Sequence, residues 1–358
     1  MKNFTPNGLA TGIGSLPHTD VDSAVKFVFK YFRDIPHWPQ LPKLSGLEGL
    51  VDQYLSPLIN MGLVESRPNK SPYLTTEKED WHNKLALFYS AFLEISEGIQ
   101  SSLEQFSFPQ NYARGYYAFI SHLETHGTGN ARWLKGQISG PVTVGLQLTD
   151  HIGRSAYYDT QLRDLVVKNL AMQAVWQVKA LGRFGLPVIL FIDEPGLYAY
   201  GLSTHITLKK EDIIQDINSL TEAIQGAGAL SGVHACARTD WSVLLNSKVD
   251  MVSFDAFNYF DSLILYGADV KEFLQQGGVL AWGLVPTSEQ AMDLEVSNLF
   301  ELYQRQANAI VAKGIDYNLL KKQVLMTPGC GTGNLSMPVA EKVYALTAGV
   351  SEHLVSPI

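Results

Sequence analysis

Only two cysteines occur in this chain of 358 residues, and each stands in a setting that suggests chemistry. Cys236 follows His234 by two residues in SGVHACARTDW, and Cys330 lies between Gly329 and Gly331 in TPGCGTG. One imidazole and two thiolates are ligands that tetrahedral zinc accepts, and three protein ligands with one exchangeable position describe a catalytic site. Asp255, in VSFDAF, supplies a carboxylate as candidate fourth ligand. Glycine on both sides of Cys330 lets the backbone turn sharply and bring the sulfur inward. The competing reading makes Cys236 and Cys330 two small buried hydrophobes, a common state of free cysteine.

Two further groups have chemical potential. Asp193 and Glu194 end an apolar run in LFIDEPG. Successive strand residues point to opposite sides, so one carboxylate is expected to face a site while the other caps a helix or pairs with a basic group. In GIGSLPH, Gly12 to His18, backbone N–H groups and the Ser15 hydroxyl are available to a polar substrate, unless the stretch is only a turn.

The elements that must position these residues are short apolar runs, most of them followed by helical patterns. The runs are Leu9 to Pro17, His37 to Pro42, Gly136 to Val144, Pro187 to Pro195, Ser231 to Cys236, Asp250 to Phe257, Gly278 to Pro286 and Gln323 to Gly331. Eight such runs predict an α/β fold, a single (β/α)8 TIM barrel, with a doubly wound sheet as the main alternative. The second run is the weakest, because its prolines sit badly in a paired strand. Between the third and fourth runs, Thr160 to Gly185 reads as a crossover helix capped by Thr160. An insert after the second strand, Ser56 to Arg132, is expected to be helical from Asp80 onward and to cover the barrel mouth. No repeat or linker interrupts the chain, which predicts one domain over residues 1–358. In a barrel, the C-terminal ends of all strands meet at one mouth, which gathers His234, Cys236, Asp255 and Cys330.

A composition of 46% hydrophobic and 17% charged residues is that of a globular chain. The net charge of −8 argues against nucleic acid or an anionic membrane as partner. No apolar run approaches the length of a membrane span, and the N-terminus lacks the apolar core of a secretory signal. The expected location is cytoplasmic, where metal binding or catalysis is a better use of two cysteines than a disulfide.

The stretches TGIGSLP, SGPVTVG, FIDEPGLY, VHAC, VSFDAF and TPGCGTG, spread from residue 11 to residue 333, together resemble the catalytic barrel of cobalamin-independent methionine synthase. That family lies within the wider superfamily of uroporphyrinogen decarboxylase and the corrinoid-linked thiol methyltransferases. The resemblance implies zinc on His234, Cys236 and Cys330, with Asp255 where the synthase has a glutamate. It implies that Asp193 binds the amino group of homocysteine, with Glu194 beside it, and that Ile13, Gly14 and Ser15 hold the carboxylate. The implied activity is methyl transfer to a thiol, most simply homocysteine giving methionine.

Departures from the family pattern bear on the methyl donor. The chain has room for one barrel instead of two, Gln147 stands where the synthase has a tryptophan beside the folate, and WGLVPTSEQ lacks the histidine that serves as acid. A methylcorrinoid, free or on a corrinoid protein, is therefore expected over methyltetrahydrofolate, because a reduced cobalt leaving group needs no proton. His82, His122 and His126 of the insert are the reserve acids if one is needed. The alternatives are a uroporphyrinogen decarboxylase-like enzyme, a zinc hydrolase, and a non-catalytic thiol-binding protein.

Overall fold

The computed structural model of the chain describes residues 4–67 and 70–355. Residues 1–3, 68–69 and 356–358 of the domain expected over 1–358 lie outside the described residues. Strands β1 (Val64–Arg67) and β2 (Lys70–Leu74) form an antiparallel hairpin. The main sheet holds β3 (Leu134–Ser139), β4 (Val188–Asp193), β5 (Leu230–Ala235), β6 (Met251–Phe254), β7 (Val279–Val285) and β8 (Val324–Pro328). These six strands pair in sequence order, every neighbour parallel. Every residue of the six is buried, as parallel strands covered on both faces require.

The eight strands expected from the sequence are thus observed as a curled sheet of six. The first two runs touch it through isolated parallel bridges, Ala10 with Met326 on β8 and His37 with Lys135 on β3, and they meet each other at Ser15 and Gln40. Pro36, Pro39 and Pro42 have no N–H to donate, so the second run cannot build a continuous ladder. The third run also ends early. After Ser139 the chain turns into a short helix, Pro141–Gln147, with proline in its first turn, where a missing N–H is harmless.

The crossover helix spans Thr160–Gly182, and its cap is Asp159 instead of Thr160. Asp159 Oδ1 accepts from the N–H groups of Gln161 (3.0 Å) and Leu162 (3.1 Å). The insert differs from expectation in two ways. It contains the β1–β2 hairpin, and its helices Trp81–Ser96 and Arg114–His126 join the outer layer instead of lying over the mouth. Tyr89 donates to Asp164 on the crossover helix (2.6 Å), and Phe119 stacks on Phe29 of helix Val21–Tyr31 at 5.6 Å. The crossover helix is consequently buried on most of its surface, including Met172 and Trp176, because the insert covers the side turned from the sheet. The hairpin and the residues just after it reach the loop after β3, where the Leu74 N–H donates to the Thr149 carbonyl (2.8 Å) and the Thr76 hydroxyl meets His151 Nδ1 (2.7 Å).

Strand alternation divides the core in two. Leu190, Ile192, Val233, Val252, Phe254, Leu280 and Trp282 face the helices in the larger cluster. Ile189, Phe191, Leu230, Met251, Val279, Ala281 and Leu325 form a separate cluster with Phe4, Leu9 and Ile35, enclosed by the curl of the sheet. The same alternation turns Gln137, Asp193, His234, Ser253 and Thr327 to that inner side, nearer the C-terminal strand ends. No helix among the described residues is long and apolar enough to cross a membrane.

Candidate metal centre and substrate site

Period-two alternation along β5 sends Val233 and Ala235 outward and His234 inward, with Cys236 one step beyond. Cys330 follows the end of β8. The structure brings the three together: the ligand atoms of His234, Cys236 and Cys330 lie within 4.8 Å of one another. His234 is buried, and both cysteines are half-buried and free.

The donor set fits zinc. His234 Nδ1 is 2.9 Å from the Ser253 hydroxyl on β6, which fixes the ring orientation. Its Nε2 is buried with no hydrogen-bond partner. With the Nδ1–H donating to Ser253, Nε2 keeps a free lone pair aimed at the site. The hydrogen bond from Cys330 is the main cause that draws the Cys236 thiol well below its usual range. The same hydrogen bond, with burial, pushes the Cys330 thiol upward. A bound cation would let both ionise.

The turn carrying Cys330 is anchored on the first run. Thr332 donates its N–H (3.0 Å) and its hydroxyl (2.9 Å) to the Ser15 carbonyl, and the Gly333 N–H donates to the Ser15 hydroxyl (3.2 Å). The glycines serve close approach instead of an unusual turn. A Cβ at Gly331 would stand 2.3 Å from Ser15 Oγ, and neither Gly329 nor Gly331 has a positive φ.

Asp255 lies beside this group but is not part of it. Its Oδ1 accepts from the Asn258 N–H (3.0 Å) and its Oδ2 from the Asn258 amide (2.7 Å), so the expected fourth ligand is occupied as the cap of helix Ala256–Leu263. Glu194 is likewise occupied. Its carboxylate accepts from the N–H groups of Val142 (2.9 Å) and Thr143 (2.7 Å) and from the Thr143 hydroxyl. Burial nevertheless raises its pKa to about 7. Glu194 holds the GPVT turn through these bonds, the helix-capping use that the sequence also allowed for one of the two carboxylates.

Asp193 is the inward carboxylate. It is buried, and its Oδ1 has no partner. Burial raises its pKa, while His234 and Lys135 pull it back. Ile13, Gly14 and Ser15 border the same interior: the Ile13 carbonyl accepts from Lys135 Nζ (2.6 Å), and a Cβ on Gly14 would meet Gln137 at 2.7 Å.

Lys135, Gln137, Ser253 and Thr327 also turn into this interior, and the sequence reading did not single them out. Their signal was available, since Lys135, Gln137 and Ser139 alternate with Leu134, Gly136 and Ile138 in LKGQIS. The reserve acids are elsewhere. His82 is exposed on helix Trp81–Ser96, and His122 and His126 stack on each other at 4.6 Å on an outer helix. Gln147 is exposed at the end of its helix.

No family model and no curated protein matches the chain. Solved structures do. A B12-independent methionine synthase from Shewanella sp. W3-18-1, in complex with selenomethionine, aligns with TM-score 0.54 at 15% identity, covering 96% of this chain and 96% of that one. A candidate vitamin-B12-independent methionine synthase from Listeria monocytogenes aligns with TM-score 0.45 at 13% identity, covering 79% of this chain and 90% of that one. The resemblance carried by the six sequence motifs is therefore present in the fold, along almost the whole chain.

Proposed function

We propose that the chain is a zinc-dependent thiol methyltransferase, in which the six strands and the two bridging runs act as one eight-membered barrel within a single domain. The acceptor in this reading is homocysteine and the product methionine. The observation that carries it is the unpartnered His234 Nε2 facing two cysteines at the inner C-terminal ends of β5 and β8. Two free cysteines also suit the reducing cytoplasm.

Zinc on His234, Cys236 and Cys330 would supply thiol activation, lowering the pKa of the substrate sulfur and holding it in place. The chain's own residues do the rest. Ser253 orients His234, Asp193 offers its free oxygen to the substrate ammonium, and the Ile13–Gly14–Ser15 segment, fixed against the Cys330 turn, receives the carboxylate end. The substrate thiolate attacks the donor methyl carbon. A sulfur–carbon bond forms while the carbon–cobalt or carbon–nitrogen bond breaks, its electron pair leaving with the donor. Selenomethionine, present in the Shewanella structure, is a methionine analogue and so a ligand of the class this reading requires.

Two donor readings each have support. The methylcorrinoid reading rests on exposed Gln147 and on the lack of a histidine in WGLVPTSEQ, since a folate nitrogen must be protonated as it leaves. The length of the chain does not help it. A protein described as B12-independent matches this chain over 96% of both lengths, which favours methyltetrahydrofolate as the second reading. Incubating zinc-loaded protein and homocysteine with each donor in turn separates the two. Methionine from methylcobalamin or a methylated corrinoid protein is expected, and methionine from methyltetrahydrofolate alone would overturn the donor assignment.

A further inference from the structure

One buried charge has no role in the site as described. Lys135 sits on β3 with no exposed surface, inside the sheet's curl. Its ammonium lies 4.5 Å from the centre of the Phe191 ring and donates once, to the Ile13 carbonyl at 2.6 Å. It forms no ion pair among the described residues, and Asp193 is the carboxylate whose charge reaches it. An ammonium has three donors, and burying a charge without a partner is costly. A methionine or leucine in the same place would fill a wall of Phe191 and Ile189 without that cost. The surroundings are also short of partners: Gln137 Oε1, Asp193 Oδ1 and Thr327 Oγ1 are all buried on the inner side without a hydrogen bond.

We propose that Lys135 is a specificity-determining residue that meets the α-carboxylate of the acceptor, so that with Asp193, assigned above to the ammonium, it forms a split pair of opposite charges. This rests on the thiol-acceptor reading above and deepens it. The acceptor must be a free amino acid thiol, because an amine thiol or a carboxylic acid thiol satisfies only half of the pair. The position of Lys135 supports it, since the carbonyl it holds belongs to Ile13, the start of the segment assigned to the carboxylate end.

Calorimetric binding to the zinc-loaded full chain tests this with three thiols: homocysteine, 3-aminopropane-1-thiol, which lacks the carboxylate, and 4-sulfanylbutanoate, which lacks the ammonium. The parent is expected to prefer homocysteine to both. Lys135→Met is expected to weaken homocysteine and 4-sulfanylbutanoate by roughly tenfold or more, as loss of a charge-assisted hydrogen bond does, and to leave 3-aminopropane-1-thiol unchanged. Its melting temperature should equal or exceed that of the parent, which a merely structural lysine would not allow. Lys135→Gln keeps a donor for Ile13 but no charge, and should show the same selective loss. Equal losses for all three thiols, or none, in both variants would overturn the role of Lys135. A parent that binds none of the three overturns the thiol-acceptor reading itself.

Discussion

Asp193 and Glu194 are consecutive and both buried, yet they end β4 on opposite sides of the sheet. Glu194 faces outward, and its oxygens are filled by the Val142 and Thr143 N–H groups and the Thr143 hydroxyl. Asp193 faces inward, with one oxygen unpartnered, among His234 Nε2, Gln137 Oε1 and Thr327 Oγ1 in the same condition. Buried polar groups are normally satisfied. Unpartnered groups occur among the outer helices too, at Asn169, Gln173 and Thr221, but the inner four share one face with Cys236 and Cys330, where a ligand would complete them. Glu194 spends its oxygens on the fold, while Asp193 has one free for binding.

Substitutions can break this contrast. The largest effect is expected at the inner side: Cys330→Ser should remove most zinc and all methyl transfer while the far-ultraviolet dichroism stays that of the parent. A zinc content equal to the parent's would sink the site. Ser253→Ala should come next, weakening zinc by roughly 10–100-fold in a chelator competition, because the orienting partner of His234 is lost. An unchanged affinity would mean that the 2.9 Å contact has no orienting role.

On the outer side, Glu194→Gln should lower stability in chemical denaturation by about 2 kcal/mol, since an amide presents a donor to N–H groups that need acceptors. It should not selectively weaken any thiol. The pH dependence adds a check. The folded pKa of about 7 lies above the ordinary glutamate value, so the folded state holds the proton more tightly, and the protonated form's contribution fades as pH rises through about 7. The stability gap between parent and Glu194→Gln should therefore narrow from pH 5 to pH 8, and a widening gap would reverse the assignment. The smallest effect on the fold is expected at Asp193. Asp193→Asn should leave stability within about 0.5 kcal/mol yet weaken homocysteine far more than 4-sulfanylbutanoate, and equal losses would remove Asp193 from ammonium binding.

Much of this architecture was legible because parallel strands announce themselves as short apolar runs: β3 to β8 each fall on an expected run. His234, Cys236 and Cys330 were legible because rare residue types stand at strand ends. Choosing between Asp193 and Glu194 was harder, since alternation gives opposite faces but not which face is which. Asp255 is ambiguous in sequence because a carboxylate after a strand serves equally as a ligand or as a helix cap, and its bonds to Asn258 are those of a cap. The hairpin Val64–Leu74 was not legible, as its short strands contain Glu65 and Pro72 and carry no apolar run. Lys135 was overlooked because a lysine in an apolar strand reads as an exposed edge until the curl of the sheet encloses it.

In the proposed function, His234, Cys236 and Cys330 hold a zinc ion that receives a substrate thiol. X-ray absorption at the zinc edge, on the purified protein before and after homocysteine is added, tests it most directly. About one zinc per chain is expected, with sulfur from the two cysteines and nitrogen from the histidine, and one additional sulfur once homocysteine is present. Protein without zinc, or zinc whose sulfur count does not change on adding homocysteine, would contradict it.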